Sequence, residues 1–213
     1  MLRVARPEED RRLIQAVEAA LAAGRERAGE YWACYPGCAR CCYGPFPVNL
    51  LDAWRLRRGI RRMRRDEPEK AAAILERARK TSALFAPHFP GYAATGIFAP
   101  GEKAEGPFAD RFAAIPCPAL GPDSGACEIY PYRPVSCRAF GPPVRFGDEP
   151  MEQCKLCFVG ATTAEIEAGR VHIDPENLEP ALIAECGREQ TLITFALTVA
   201  EGPIAAVDWE SSE

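Results

Sequence analysis

Four cysteines lie within the segment 34–42, which reads Cys-Tyr-Pro-Gly-Cys-Ala-Arg-Cys-Cys. Neither a hydrophobic core nor a disulfide framework needs sulfur at this density. Thiolates spaced as C-x-x-x-C-x-x-C-C can converge on one point, as the ligands of a soft metal do. Because Pro36 and Gly37 break a helix, we expect Cys34 on a turn and Cys38 to Cys42 on the first turn of a short helix.

A second group of cysteines follows further along the chain. Three of them are flanked by turn-forming residues, which is typical of loops that fold around a metal. A C-x-x-C pair at Cys154 and Cys157 comes next, and this spacing also marks redox-active dithiols. Beside seven other cysteines, we interpret the pair as a metal-binding knuckle. The predicted ligands are Cys34, Cys38, Cys41, Cys42, Cys117, Cys127, Cys137, Cys154 and Cys157.

These ligands outnumber the requirement of a single site. One tetrahedral zinc ion or one cubane iron–sulfur cluster takes four thiolates. The sequence therefore leaves open two sites, or one site with further thiols around it. Adjacent residues such as Cys41 and Cys42 are awkward ligands of the same ion, which leaves one of them for a second site.

Two arginines lie close to Cys137 in the sequence, and thiolate-bound metals carry net negative charge. We expect Arg133 and Arg138 to offset this charge and to donate hydrogen bonds to cofactor sulfur, with a surface salt bridge as the alternative. The remaining cysteine, Cys186, ends an apolar helix, and we interpret it as a buried hydrophobic side chain. His88 and His172 have no cysteine close in sequence, so neither is predicted as a ligand.

Two segments together resemble a bacterial cysteine-cluster family that carries a zinc- or iron-chelating domain. The likeness covers roughly residues 34–140, with a downstream position for Cys154 or Cys157, and implies binding of zinc or iron, including a 4Fe-4S cluster. The cysteine region is also similar to that of flagellin lysine-N-methylases, but no G-x-G loop of a methyl-donor site follows a strand. The matching residues are Cys34, Cys38, Cys41, Cys42, Cys117-Pro118, Leu120, Cys127, Ile129-Tyr130, Arg133-Pro134, Cys137-Arg138 and Phe140.

Two functions from different classes remain open. One is a metal-binding protein whose zinc or iron–sulfur centre holds the fold. The other is an enzyme, a cluster-dependent redox or protein lysine methyl-transfer protein, for which an open coordination position or a substrate pocket is required.

The chain has 213 residues, and 47% of them are hydrophobic, which is enough for a real core. We predict a single domain over residues 1–213 that is mainly α with little β. In it, helices pack around a loop-rich cysteine centre at about residues 34–157. The predicted helices cover residues 7–30, 49–65, 67–86 and 174–187.

The location is predicted from what the chain lacks. Residues 1–10 contain no apolar run of a secretory signal, and no apolar stretch reaches membrane-spanning length. Ten cysteines in a reducing compartment indicate metal or redox chemistry. We therefore expect a cytoplasmic protein without a membrane partner, and a secreted disulfide-rich protein is the alternative.

An arginine-rich helical face raises the question of nucleic-acid binding. No acidic residue and no interleaved aromatic residue belongs to this face, and no nucleic-acid fold signature accompanies it. We favour a solvated or intramolecularly paired face over phosphate binding, and a protein partner is left open. The arginines are Arg55, Arg57, Arg58, Arg61, Arg62, Arg64 and Arg65.

Overall fold

The computed structural model describes residues 7–35, 37–103, 106–147, 149–200 and 204. The described part is mainly α with little β, which confirms the predicted fold class. Its helices are α1 (Pro7–Ala28), α2 (Leu50–Asp66), α3 (Pro68–Phe85), α4 (Pro107–Phe112), α5 (Val135–Ala139), α6 (Thr163–Ala168), α7 (Leu178–Cys186) and α8 (Ile193–Thr198). Its strands are β1 (Pro47–Asn49), β2 (Gly91–Tyr92), β3 (Ile97–Phe98), β4 (Val144–Phe146), β5 (Glu149–Met151), β6 (Val171–Ile173) and β7 (Gln190–Leu192).

The chain divides into two compact units. The α1 unit contains the described residues from 7 to 38 and from 135 to 182, and the α2–α3 unit contains those from 39 to 134 and from 183 onward. The division falls inside the first cysteine segment, directly after Cys38. A single domain over residues 1–213 stays a prediction.

Three helices, α2, α3 and α8, build the α2–α3 unit together with an antiparallel sheet of order β1-β7-β3-β2. Asn49 caps α2 by accepting a hydrogen bond from the backbone N–H of Asp52 at 2.8 Å, which sets the start of the helix. Helices α2 and α3 confirm the predictions for residues 49–65 and 67–86. Beside them lies an aromatic core of Phe85, Phe89, Phe98, Phe108, Phe112 and Phe195.

The arginine-rich face of α2 is largely engaged within its own unit. Arg55 is buried and pairs with Asp52 at 2.5 Å. Arg57 donates a hydrogen bond to the carbonyl oxygen of Val199 at 2.8 Å, just beyond the last turn of α8. Arg62 pairs with the carboxylate at the C-terminal end of its own helix. These contacts support the interpretation of an intramolecularly paired face.

In the α1 unit, α1 packs against β6, an outer strand of a sheet ordered β5-β4-β6. Helix α1 confirms the helix predicted for residues 7–30. The helix predicted for residues 174–187 begins only at Leu178, because Asp174 has φ +53° and cannot be helical. Its carboxylate instead accepts hydrogen bonds from the backbone N–H groups of Leu178 and Glu179, at 2.9 and 2.7 Å.

No described helix combines the length and the apolar character needed to cross a bilayer.

Candidate metal centre

The first cysteine segment forms two consecutive turns rather than the predicted short helix. The backbone N–H of Cys38 donates to the oxygen of Tyr35 at 3.0 Å, and that of Cys42 donates to Ala39 at 2.9 Å. Both bonds span three residues, which is the pattern of a β-turn. Gly37 has φ +94°, which agrees with the predicted break before Cys38. Because a turn and no helix is found over Cys38 to Cys42, the helix predicted there is wrong.

In the α1 unit, two cysteines far apart in the sequence come into contact. The sulfurs of Cys34 and Cys157 lie 3.7 Å apart. The C-x-x-C pair is held in a turn by a 2.8 Å hydrogen bond from the N–H of Cys157 to the oxygen of Cys154. The next residue, Phe158, donates its N–H to the oxygen of Tyr31 at 2.9 Å, which joins this turn to the segment before Cys34.

The environment of Cys34 favours its neutral thiol when no cation is present. The Cys34 and Cys157 side chains pack in an apolar cluster where the rings of Tyr31 and Phe158 stack with centroids 5.4 Å apart. Burial, then the charge and hydrogen bond of Cys157, and the nearby Cys38 and Cys154, raise the pKa of Cys34 to about 12. We refer to Cys34, Cys38, Cys154 and Cys157 as the Cys34 set.

Gly141 gives the Cys34 side chain its space, a role that the sequence reasoning missed. A Cβ at Gly141 would lie closer than 3.0 Å to the sulfur of Cys34. Gly141 has φ +139°, and its carbonyl oxygen accepts the N–H of Cys154 at 2.8 Å. This glycine therefore positions two members of the Cys34 set. In the sequence, the only sign of this role is that Gly141 closely follows Cys137.

In the α2–α3 unit, Cys42 and Cys117 are joined through their backbones. The N–H of Cys117 donates to the oxygen of Cys42 at 2.7 Å, and Tyr43 forms a bridge with Pro116. Cys127 lies at the far end of the loop that begins at Cys117 and bridges back to Leu120. We refer to Cys41, Cys42, Cys117 and Cys127 as the Cys41 set.

Two thiols of the Cys41 set, those of Cys41 and Cys117, have a raised pKa. A side-chain hydrogen bond with Cys42, followed by burial, raises the pKa of Cys41 well above its usual value. The positive charge of Arg133 acts in the opposite direction on Cys41. Burial is the main cause that raises the pKa of Cys117 to about 11, and the neighbouring Cys127 adds to it.

The other predicted residues lie around these two sets. Cys137 is half-buried on α5 of the α1 unit. Its neighbour Arg138 is buried and forms an ion pair with Glu18 of α1. In the α2–α3 unit, the guanidinium of Arg133 lies 3.6 Å from the ring centroid of Tyr130. The roles of these three predicted residues stay predictions.

Three residues were excluded from metal binding on the sequence, and the structure gives the burial of each. Cys186 is fully buried at the end of α7, which agrees with its interpretation as a hydrophobic side chain. His88 and His172 are exposed. The ten cysteines all lie within the described ranges, and no disulfide joins any of them.

One pair of cysteines has the spacing of ligands in a thiolate-bound metal site. Among the described residues, no three Cys, His, Asp or Glu side chains gather closely enough to hold an ion as they stand. The Cys34–Cys157 pair, however, has the required spacing. Two thiolates bound tetrahedrally at about 2.3 Å from zinc lie about 3.8 Å apart, and the observed sulfur distance is 3.7 Å. Metal binding would draw further thiols onto this pair.

A family model described as "Putative zinc- or iron-chelating domain", of the CxxCxxCC type, matches residues 33–155. The match spans 123 of the 213 residues, more than half of the chain. The chain belongs to this CxxCxxCC family. Searches of the curated proteins and of the solved structures found no match.

The structure adds a residue to what the CxxCxxCC match covers. The matched range ends at residue 155 and so includes Cys154 but not Cys157. The sulfur of Cys157 nevertheless contacts Cys34, which lies at the start of the matched range. In this member of the CxxCxxCC family, the candidate centre therefore extends beyond the matched range.

An open cavity of about 740 Å³ lies beside the Cys34 set in the α1 unit. Its lining includes Cys154 and Cys157 together with the exposed side chains of Met151 and Val159. The charged side chains of Glu152, Lys155 and Arg170 also line it. This member of the CxxCxxCC family thus has solvent-accessible space next to two of its candidate ligands.

Proposed function

We propose that the chain binds a thiophilic metal ion, zinc or iron, through the thiolates of the Cys34 set. The observation that carries this proposal is the 3.7 Å contact between the sulfurs of Cys34 and Cys157, which belong to the two separate chain segments of the α1 unit. Thiolate donors select zinc and iron–sulfur centres over hard cations such as magnesium. Membership of a family described as zinc- or iron-chelating supports the same chemistry.

The electrostatics of the Cys34 set favour a bound cation. Burial and crowding raise the pKa of Cys34 because nearby thiolates repel each other in an apolar environment. A divalent cation reverses this effect, since each thiolate then faces positive charge. The stacked rings of Tyr31 and Phe158 limit the access of water on one side. The set is therefore suited to hold metal in a partly desolvated site.

The thiolate donors fit zinc and iron alike. Four thiolates complete either a tetrahedral zinc site or a 4Fe-4S cluster. The zinc site is a structural centre that couples metal binding to folding. We rank it first because four thiolates fill the coordination of the ion and leave no position for a substrate. The expected location is the cytoplasm, where thiols stay reduced.

A second candidate function is a cluster-dependent enzyme with redox or protein lysine methyl-transfer activity. The observation that favours it is the open cavity beside Cys154 and Cys157, which offers space for a substrate next to the centre. A cluster would supply electron transfer or radical chemistry, and the cavity residues would bind and orient the substrate. No nucleotide-binding loop accompanies this cavity in the sequence, so we rank the enzyme second.

Purification under anaerobic conditions, followed by elemental analysis, tests the proposal. We expect stoichiometric zinc in a colourless protein, or iron with broad absorption near about 400 nm. Cys157→Ser should lose the metal of the Cys34 set, because it removes one sulfur of the contacting pair. Cys186→Ser, which changes a buried cysteine outside both sets, is the matched control and should keep it. Wild-type metal content in Cys157→Ser would refute the assignment.

A further inference from the structure

We infer that the chain carries a second, independently filled thiolate centre, formed by the Cys41 set in the α2–α3 unit. This inference rests on the proposed function, since it assumes that the clustered cysteines of this chain bind metal. It goes beyond it in assigning Cys41, Cys42, Cys117 and Cys127 to an ion of their own. The ligand is a thiophilic divalent cation of the zinc class.

A short antiparallel pairing brings the first two segments together. The N–H of Cys117 donates to the oxygen of Cys42 at 2.7 Å, and the N–H of Gly44 donates to the oxygen of Ile115 at 2.7 Å. Between these two bonds, Tyr43 bridges Pro116. Residues joined in this way have neighbouring Cα atoms. Cys42 and Cys117 are therefore fixed side by side although 74 residues separate them.

A closed loop brings Cys127 back to Cys117. The N–H of Gly121 donates to the oxygen of Ala126 at 2.8 Å, and the N–H of Glu128 donates to Ala119 at 2.8 Å. Arg77 of α3 holds both ends of this loop. Its side chain donates to the oxygen of Pro118 at 2.9 Å and forms an ion pair with Glu128. The loop is thus anchored on a helix, as a rigid ligand support requires.

Cys41 and Cys42 complete the set, contrary to the expectation from the sequence that one of two adjacent cysteines belongs to another site. They lie together on the turn that the N–H of Cys42 closes onto Ala39, next to the pairing of Cys42 with Cys117. Arg133 is close enough for its charge to stabilise the thiolate of Cys41, and its stacking on Tyr130 fixes it there. A bound thiolate centre carries net negative charge, and a fixed guanidinium offsets it.

The division of the chain assigns eight of the nine candidate ligands to two sites, and Cys137 belongs to neither set. The boundary between the two units falls directly after Cys38. It separates Cys34 and Cys38 from Cys41 and Cys42, and each pair has its partners in its own unit. Four thiolates are then present for each ion, which is the number that a closed tetrahedral site needs.

Cadmium protection of the wild-type thiols from alkylation tests the inference without any substitution. The reduced, metal-free full chain is titrated with Cd²⁺, treated with N-ethylmaleimide and digested with trypsin. Cleavage after Arg40 separates Cys34 and Cys38 from Cys41 and Cys42. The four thiols of the Cys41 set should become protected together, and protection of all eight thiols should be complete at two Cd²⁺ per chain.

Paired variants show whether the two centres fill independently. Cys127→Ser should lower the Cd²⁺ stoichiometry from two to one and leave the Cys34 set protected. Cys157→Ser should also lower the stoichiometry to one but leave the Cys41 set protected. Cys186→Ser should still bind two Cd²⁺ per chain. Loss of protection at all seven remaining thiols in either variant, with the circular-dichroism spectrum unchanged, would show one shared centre and overturn the inference.

The same measurement separates this inference from the proposed function. Protection of the Cys41 set alone would refute metal binding by the Cys34 set and support the second centre. Protection of the Cys34 set alone would leave the proposed function standing and overturn the second centre. If neither set is protected at saturating Cd²⁺, both assignments are wrong. Because the cadmium protection experiment uses the wild-type chain, its outcome does not depend on whether a variant folds.

Discussion

Replacing Gly141 with alanine tests whether the position of the Cys34 sulfur controls metal binding. The new Cβ would lie closer than 3.0 Å to that sulfur, whereas carbon contacts are most favourable at about 3.5–4.0 Å. The sulfur must therefore move by at least about 0.5 Å, more than the roughly 0.2 Å tolerance of metal–ligand distances. Rotation of the short Cys34 side chain can relieve the collision only by changing its distance to Cys157.

The magnitude follows from two separable costs. Alanine at φ +139° is strained by about 1–3 kcal/mol, which lowers the stability of the metal-free protein. The collision with Cys34 adds about 1–3 kcal/mol when the sulfur must return to its ligating position. The second cost falls on the metal-bound state, so it lowers the affinity of the Cys34 set for Zn²⁺ by roughly 5- to 150-fold.

Gly160→Ala is the matched control, since Gly160 lies in the same unit at φ +77° with open space around its Cα. It should cost stability by strain of the same order but leave the Zn²⁺ affinity unchanged. Competition against a chromophoric chelator measures the affinity, and urea unfolding of the metal-free proteins measures the stability. Equal Zn²⁺ affinities for Gly141→Ala and Gly160→Ala would refute the positioning role of Gly141.

Three further predictions follow from the structure. Burial and crowding raise the pKa of Cys34 to about 12, so its thiol is protonated at neutral pH and metal must displace the proton. Zn²⁺ affinity should then fall by about tenfold per pH unit for each displaced proton as the pH is lowered. An affinity that does not change between pH 6 and 8 would contradict this expectation. Cys186→Ser should keep full metal content but lose about 1–3 kcal/mol of stability by burying a hydroxyl, checked by elemental analysis and urea unfolding. Arg57→Ala should lower the free energy of unfolding in urea by about 1.5–3 kcal/mol, because its charged hydrogen bonds beside the end of α8 are lost. Arg64→Ala, at an exposed position of the same helix, should change it by less than about 0.5 kcal/mol.

Local signals in the sequence located the long helices well. The predicted segments 7–30, 49–65 and 67–86 agree with α1, α2 and α3 to within two residues at each end. The start of α2 was predictable because Asn49 caps its own helix through a bond three residues away. The start of α7 was not, since the sequence does not show that Asp174 adopts φ +53° and caps from four residues earlier.

The first cysteine segment shows where local reasoning fails. The expected break at Pro36 and Gly37 suggested a short helix over Cys38 to Cys42, but a turn follows instead. The turns place Cys38 and Cys42 in different units. Sequence spacing describes residues on one continuous element, and it says nothing about thiols that face partners more than 70 residues away.

The sequence by itself predicted metal binding, which membership of the CxxCxxCC family supports, because the types and number of its cysteines favour a soft metal whatever the fold. It also determined the helical class, since helix periodicity and caps act over a few residues. Only the tertiary structure decided which cysteines come together. The sulfur of Cys34 contacts that of Cys157, a backbone hydrogen bond joins Cys117 to Cys42, and Gly141 leaves room for a sulfur 107 residues before it. Such contacts depend on how distant segments pack, and no local pattern in the chain encodes them.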